Sequence, residues 1–165
     1  MVKIGRTELG DFPLLLAPME DVSDPPFRAV CKDQGADLMF TEFISVEGLI
    51  RDAGKSIQKL DIYDDERPVG VQIFGAEIES MGRAAEIVEE ANPELLDINF
   101  GCPVKKVVRR NGGSGCLRDL DLVERIIRAV SGATHLPVTC KIRSGWNEEM
   151  RDPVGIALRC QDAGA

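Results

Sequence analysis

The sequence is poor in the residues that build metal centres. Histidine occurs once, at position 135, and the five cysteines are widely spaced, with no CxxC pair among them. Because a zinc site needs several such ligands close together, we predict no metal site. An odd number of cysteines in a chain without an export signal is typical of reduced thiols.

Long apolar runs are also missing. No stretch is long enough to cross a bilayer, and the N-terminal residues lack the uninterrupted apolar core of a signal peptide. Hydrophobic residues make up 44% of the chain and charged residues 29%, which is typical of a soluble globular protein. We therefore expect a cytoplasmic protein that does not associate with membranes.

Basic residues are fewer than acidic ones, with 20 Lys and Arg against 28 Asp and Glu. The net charge of −8 argues against a protein that coats nucleic acid by bulk electrostatics. Tryptophan and tyrosine occur once each, so the sequence predicts no platform on which bases stack. A local basic patch remains, because four cations lie close together at Lys105, Lys106, Arg109 and Arg110.

Five short apolar runs predict β-strands, and each is followed by a helical pattern. The runs lack strict alternation of polar and apolar residues, so both faces of each strand are expected to be buried, as in a parallel sheet covered by helices. The predicted fold class is therefore α/β. The five runs span residues 14–17, 38–41, 69–74, 95–100 and 137–142.

Both a doubly wound sheet and a barrel fit that alternation. The residues able to carry chemistry cluster at or just after strand ends, at Met19, Gln72, 99–102 and 141–143. In a barrel those ends converge on one mouth, so we predict a TIM (β/α)8 barrel. A complete barrel takes about 250 residues, so the 165 residues here correspond to roughly its first five βα units.

The helices and turns carry their own signals. Residues 2–12 predict a small hairpin, Ser23 or Asp24 caps the first helix, and Asp121 caps a later one. Residues 44–57 predict a helix. Apolar residues recur at helical spacing in four segments: Phe27, Val30 and Cys31; Ile78, Met81, Ala85 and Val88; Leu122, Val123, Ile126, Ile127 and Val130; and the inward-facing Val154, Ala157 and Leu158.

The candidate chemistry is concentrated between residues 95 and 117. Cys102 lies at the end of a predicted strand, between Gly101 and Pro103, which stop that strand. The basic patch comes next. A glycine-rich loop at residues 112–115 follows, and we predict that it is mobile and lets backbone approach a partner closely.

Five motifs, in order and at about the same spacing, resemble those of the tRNA-dihydrouridine synthases, and among them the bacterial type B group. They are LAPMEDVSDPPFR at 16–28, TEF at 41–43, VQIFG at 71–75, DINFGCPVKKV at 97–107 and KIRSGW at 141–146. The resemblance implies an FMN-binding barrel followed by a smaller helical domain that helps to hold tRNA. Residues 1–165 would be the N-terminal portion of that barrel.

The resemblance also implies roles for individual residues. Cys102 matches the family's catalytic cysteine, whose thiol gives a proton to C5 of uracil while reduced FMN passes a hydride to C6. A thiol with a pKa of about 8.5 is mostly protonated at neutral pH, as a general acid requires. The positions that match flavin-binding residues are Ala17, Pro18, Met19, Gln72, Asn99 and Lys141.

Further residues are expected to meet the substrate. Asn99 matches a residue that faces uracil as well as flavin, and Arg143, Lys105 and Lys106 are candidates for contact with substrate or tRNA phosphate. NADPH or NADH would be the reductant. The remaining cysteines are expected to pack as small hydrophobic side chains at positions 31, 116, 140 and 160.

Two alternatives stay open at this point. The Asn-x-x-Cys-Pro loop and the strand-end Lys141 also fit the dihydroorotate dehydrogenases, another class of flavin barrel, although Gly101 stands where those enzymes usually have a polar residue. The second alternative is a partial fold without cofactor, whose exposed strand edges favour association with another copy.

Overall fold

A curled parallel sheet forms the centre of the computed structural model, which describes residues 1–165. The strands are β1 (Val2–Ile4), β2 (Thr7–Gly10), β3 (Met39–Phe40), β4 (Ile44–Ser45), β5 (Val69–Phe74), β6 (Leu95–Phe100) and β7 (Val138–Ile142). The helices are α1 (Pro25–Asp33), α2 (Val46–Ile50), α3 (Gly54–Gln58), α4 (Ile78–Glu90), α5 (Lys105–Val108), α6 (Leu120–Ala133) and α7 (Pro153–Asp162). None of these helices combines the length and the apolar character that crossing a bilayer requires.

The sheet strands neighbour one another in chain order. β5 pairs with β6 and β6 with β7, all parallel, while β3 and β4 pair with the first and second halves of β5. A parallel bridge from Leu15 to Leu38 adds the first predicted strand beside β3. A doubly wound sheet reverses its strand order partway, whereas a barrel does not. The α/β prediction is confirmed, and the sheet is a partial TIM barrel.

The main core lies between the sheet and the helices that cover it. Val71 and Ile73 of β5 and Leu96, Ile98 and Phe100 of β6 are completely buried on this side. Helices α4 and α6 supply the facing layer, and their predicted apolar stripes are confirmed. The buried residues of that layer include Met81, Ala85, Val88, Val123, Ile126, Ile127 and Val130.

The other face of the sheet is apolar at one end only. The antiparallel β1–β2 hairpin, which the sequence predicts, brings Leu9 against Leu38, Phe40 and Leu95 in a second buried cluster. These residues lie at or near the N-terminal ends of their strands. Toward the C-terminal ends the same face carries polar side chains, so the hairpin closes one end of the half-barrel and leaves the opposite end to a polar surface.

Predicted burial is wrong at the two sides of the sheet. Leu14 and Leu15, expected in a buried strand, are 58% and 46% exposed, because the strand has a neighbour only on its β3 side. The outermost helices show the same effect. The apolar residues of α1 and α7 that are exposed are Phe27, Val30, Val154, Ala157 and Leu158. Self-association through these open sides stays a prediction.

Three local predictions also need correction. The predicted helix at 44–57 begins as strand β4 and then splits into α2 and α3, because Asp52 adopts a left-handed φ of 54°. Asp119, rather than Asp121, caps α6 through its side chain. Residues 113–118 form a 3-10 turn that is buried from 113 to 117, and not a mobile loop.

Candidate active site

Five polar side chains share the face of the sheet that points away from the helices. Gln72 of β5 lies opposite Asp97 of β6, Asp97 lies opposite Thr139 of β7, and Asn99 lies opposite Lys141. Side chains two residues apart on a strand point the same way, so these positions form one surface. It lies toward the C-terminal ends of the strands, where TIM-barrel enzymes carry their active sites.

Four of these side chains form one continuous hydrogen-bond chain. The Thr139 hydroxyl donates to Oδ1 of Asp97 at 2.6 Å, and Nε2 of Gln72 donates to Oδ2 at 2.5 Å. Nδ2 of Asn99 then donates to Oε1 of Gln72 at 2.8 Å. Asp97 accepts at both of its oxygens, so the NH2 group of Gln72 must point toward it and the Gln72 oxygen must point away. That oxygen accepts from the NH2 group of Asn99, which fixes the orientation of Asn99 in turn.

The carboxyl group of Asp97 lies almost completely out of water. Burial raises the pKa of Asp97, and the hydrogen bonds from Gln72 and Thr139 together with the positive charge of Lys141 lower it without cancelling that rise. Lys141 itself is exposed and forms no ion pair, so its ammonium group remains available to a ligand. A carboxyl group with a raised pKa on a polar strand-end surface is typical of a functional site.

Residues 101–103, which we call the Cys102 turn, are bonded to Asn99 at the end of this hydrogen-bond chain. Oδ1 of Asn99 accepts the backbone N–H groups of Gly101 at 3.0 Å and Cys102 at 2.8 Å. From the other side, both the N–H and the hydroxyl of Ser114 donate to the Cys102 carbonyl at 3.0 Å. A Cβ at Gly113 would lie 2.7 Å from that carbonyl, so the turn needs glycine there. The backbone that carries the thiol is therefore held on both sides.

The structure brings Gln72, Asn99, Lys141 and Cys102 together, whereas the 17–19 segment follows the strand at the edge of the sheet beyond β3. Ala17 is exposed, and Pro18 and Met19 are half-buried. They follow the strand outside β3, and no hydrogen bond links them to the Gln72 chain. Their backbone is instead tied to buried Ser23, whose hydroxyl binds the N–H and the carbonyl of Met19 at 2.9 and 3.0 Å.

The three basic residues predicted to meet substrate lie around the Cys102 turn in different cavities. Nε of Arg143 donates to the Gly101 carbonyl at 2.6 Å. Arg143 and Lys105 line a cavity of about 300 Å³ on one side of the turn. Lys106 lines a larger cavity of about 960 Å³ that lies beyond β4 and β5. Adjacent lysines on the short helix α5 thus face different spaces.

Asp97, Thr139 and Ser114 were not predicted as site residues. The signal for the first two was present, because Asp97 precedes Asn99 by two residues and Thr139 precedes Lys141 by two, and such spacing places each pair on one strand face. The apolar residues around Asp97 and Thr139 make β6 and β7 resemble uniformly buried strands, so the sequence does not mark these two side chains strongly. No local pattern predicts Ser114, because its contact with Cys102 spans 12 residues.

The other cysteines lack the setting of Cys102. Cys116 is completely buried, its Sγ donates to the Asn111 carbonyl at 2.8 Å, and burial raises the pKa of its thiol to about 12. Cys140 and Cys160 pack between β7 and α7, where the hydrogen bond with the Cys160 thiol and burial raise the pKa of Cys140. Thiols in such surroundings pack as small apolar groups.

One acidic cluster has the composition of a metal site. Glu20, Asp21 and Glu42 bring carboxylate oxygens within 4.8 Å of one another. The ammonium group of Lys59 lies 2.6 Å from Glu20 and 3.3 Å from Glu42, so a side-chain cation already balances part of this negative charge. The cluster also lies outside the Gln72–Asn99 surface.

Comparison with known proteins shows the family to which the chain belongs. The Dihydrouridine synthase (Dus) family model matches residues 15–165. Similar proteins named tRNA-dihydrouridine synthase B occur in Pseudomonas putida (39% identical over 99% of this chain and 48% of that protein), Xanthomonas campestris (41%, over 92% and 46%) and Proteus vulgaris (38%, over 99% and 50%). The chain spans about half the length of these curated relatives. Because the family model covers nearly all of it, the chain belongs to the dihydrouridine synthase family.

Proposed function

We propose that this chain forms the N-terminal half of an FMN-dependent enzyme that reduces particular uridines of tRNA to 5,6-dihydrouridine. The observation that carries the proposal is the position of Cys102, next to the polar surface of Gln72 and Asn99, in a chain of the dihydrouridine synthase family. We further propose that the remaining barrel strands and a helical tRNA-binding domain lie outside residues 1–165.

The polar surface fits the donors and acceptors of a flavin ring system. The carboxamides of Gln72 and Asn99 lie in it, buried and bonded to each other, beside the exposed ammonium group of Lys141. We assign FMN binding to these three residues, together with Ala17, Pro18 and Met19 at the open side of the sheet. When bound, FMN would supply the hydride that reduces C6 of uracil. A fixed cation at Lys141 would stabilise negative charge that develops beside it.

Cys102 is the residue that would hold and deliver the proton. Its Sγ–H bond breaks as a C–H bond forms at C5 of uracil, and solvent later returns a proton to the sulfur. The hydrogen bonds from the turn to Asn99 and from Ser114 fix the backbone beneath the thiol, and accurate positioning of this kind lowers the entropic cost of proton transfer. Asn99, three residues before Cys102, would also contact uracil.

The partners follow from the same assignment. Arg143, Lys105 and Lys106 are exposed cations around the Cys102 turn, and we propose that they meet the phosphate groups of tRNA. NADPH or NADH would reduce the flavin between turnovers. A tRNA substrate in a bacterium also favours a cytoplasmic location.

The test compares the wild-type protein, expressed from its own gene, with Cys102→Ala and with the control Cys31→Ala, which removes a half-buried thiol of α1. We expect the wild type to carry a yellow chromophore and to raise the dihydrouridine content of unmodified tRNA. Cys102→Ala should keep the chromophore and lose roughly 100-fold or more in rate, as expected when a general acid is removed. Cys31→Ala should behave like the wild type.

Three results would contradict the proposal. A colourless wild-type protein would favour a partial fold without cofactor. Turnover of free dihydroorotate, with tRNA left unchanged, would favour the dihydroorotate dehydrogenase class. Undiminished dihydrouridine formation by Cys102→Ala would remove the thiol from the chemistry.

A further inference from the structure

A small cavity opens directly beside the Cys102 turn. Its volume is about 300 Å³, at the lower end of the range for ligand pockets in proteins, so it suits a group of about the size of one nucleotide and not a folded stem. Its lining combines cations, a hydroxyl, an indole and apolar side chains. The residues are Pro103, Lys105, Val108, Ser114, Arg143 and Trp146.

The walls of this cavity are bonded to the turn that carries the thiol. Ser114 donates twice to the Cys102 carbonyl at 3.0 Å, and Nε of Arg143 donates to the Gly101 carbonyl at 2.6 Å. Pro103 follows Cys102 in the chain. A ligand in the cavity would therefore contact side chains that hold the backbone of the Cys102 turn.

The cavity has an electrostatic character that suits an anion. No carboxylate lines it, and neither Lys105 nor Arg143 forms an ion pair. The larger cavity differs, because carboxylates line it and pair with two of its cations, Lys59 with Glu20 and Arg51 with Glu47. Two unpaired cations side by side, in a chain whose net charge is −8, favour a ligand that brings negative charge.

Trp146 gives the same cavity an aromatic side chain. The sequence predicted no platform on which bases stack, but the fold places this one tryptophan beside Lys105 and Arg143. The guanidinium carbon of Arg118 lies 3.9 Å from the centroid of the indole, which fixes the ring by a cation–π contact. The half-buried indole also lines the cavity. Stacking of a base on an aromatic side chain is a recurring contact with single-stranded nucleic acid.

We propose that this cavity binds the nucleotide next to the target uridine in the tRNA strand, with its phosphate between Lys105 and Arg143 and its base against Trp146. The proposal rests on the proposed function. A free nicotinamide dinucleotide has the same chemistry, but the basic surface continues past the cavity, as expected for a strand. The exposed cations that follow Lys105, none of which forms an ion pair, are Arg109 and, at the larger cavity, Lys106 and Arg110.

The experiment measures the Kd for an unmodified tRNA transcript over a range of salt concentrations, using the protein expressed from its own gene. Trp146→Leu should weaken binding roughly tenfold and leave the salt dependence unchanged, because it removes stacking and no charge. Lys105→Ala should weaken binding and reduce the slope of log K against log salt by about 0.7, the value for one single-strand phosphate contact.

The matched control is Arg83→Ala, which removes an exposed, unpaired cation from the outer helix α4 and should change neither quantity. The absorption spectrum of bound flavin and its reduction by NADPH without tRNA should be the same in all variants. Lys105 is exposed, so Lys105→Ala tests the site even if Trp146→Leu impairs folding.

Two outcomes would overturn the proposal. Slower flavin reduction by NADPH with unchanged tRNA affinity would assign the cavity to the dinucleotide. If Trp146→Leu and Lys105→Ala both bind tRNA with the same Kd as Arg83→Ala, no nucleotide occupies the cavity. Failure of the proposed function is seen separately, because it appears as a wild-type protein that forms no dihydrouridine, whatever the variants bind.

Discussion

Two buried carboxylates, Glu66 and Asp97, receive their hydrogen bonds from different kinds of group. Glu66 is completely buried and faces Arg28, whose Nε and Nη2 donate to its two oxygens at 2.5 and 2.9 Å. Asp97 is 4% exposed and is bonded only by the neutral amide of Gln72 and the hydroxyl of Thr139. One carboxylate has a bonded countercharge and the other has none.

The presence or absence of a bonded cation distinguishes the structural Arg28–Glu66 pair from the candidate active site around Asp97. Nη1 of Arg28 donates to the Ser23 carbonyl at 2.8 Å, and Nη2 also donates to the Asp61 carbonyl at 2.7 Å. The pair therefore joins α1 to the turn at 64–66, and it lines neither of the two cavities described above. The chain that starts at Asp97 ends instead at the Cys102 turn. A neutralised buried charge is part of the scaffold, whereas a buried carboxyl without a cation in contact is a candidate functional group.

Arg28→Met is expected to have the largest effect, because it leaves Glu66 buried without a countercharge. We expect the free energy of unfolding to fall by about 3–5 kcal/mol, measured by urea denaturation of the protein expressed from its own gene. Adding Glu66→Leu should recover much of that loss. The control Arg51→Met breaks an exposed pair with Glu47 and should cost less than about 0.5 kcal/mol. Equal losses for Arg28 and Arg51 would mean that the buried pair does not stabilise the fold.

The sequence predicted the parts of the fold that depend on local pattern. Strands β5, β6 and β7, helices α4 and α6 and the hairpin all lie where apolar runs, spacing and turn residues indicated. Burial at the sides of the sheet could not be predicted in this way. An apolar stripe shows which face of a helix is apolar, and it does not show whether another element covers that face, as Val30 and Leu158 illustrate.

The polar contacts of the site were predictable only in part. Cys102, Gln72, Asn99 and Lys141 could be singled out because strand ends and family motifs mark them. The contacts that hold them are long-range: Thr139 and Asp97 are 42 residues apart, and Arg28 and Glu66 are 38 apart. Such pairs depend on strand register and on how α1 docks, and neither is encoded in the neighbouring residues.

Thr139→Val tests whether the neutral hydrogen-bond donors stabilise buried Asp97. It removes one donor to Asp97 while keeping the shape of the side chain, and leaving a buried acceptor without its donor costs about 1–3 kcal/mol. We expect a loss of that size in the free energy of unfolding at pH 7, and a further rise in the pKa of Asp97. Thr7→Val in β2, where the hydroxyl makes no hydrogen bond, is the control. A loss no larger than that of Thr7→Val would mean that the hydroxyl does not support Asp97.

Asp97→Asn tests whether Asp97 lacks a countercharge in the folded protein. The test is the pH dependence of the free energy of unfolding. Burial raises the pKa of Asp97 in the folded protein above the value of about 4 that the unfolded chain has. The folded state therefore holds this proton more tightly than the unfolded state does. The stability contributed by the protonated group is fully present below about pH 4 and is lost as the pH rises through the folded pKa.

Asparagine does not titrate, so the wild type should lose stability relative to Asp97→Asn as the pH rises from about 4. The difference in unfolding free energy should change by at most about 1.4 kcal/mol per pH unit, the value for one proton. Urea denaturation at several pH values measures it, with Asp162→Asn at the exposed end of α7 as a control that should follow the wild type. A difference that stays constant with pH would mean that burial does not raise the pKa of Asp97, and a difference of the opposite sign would mean that a cation neutralises it in the folded protein.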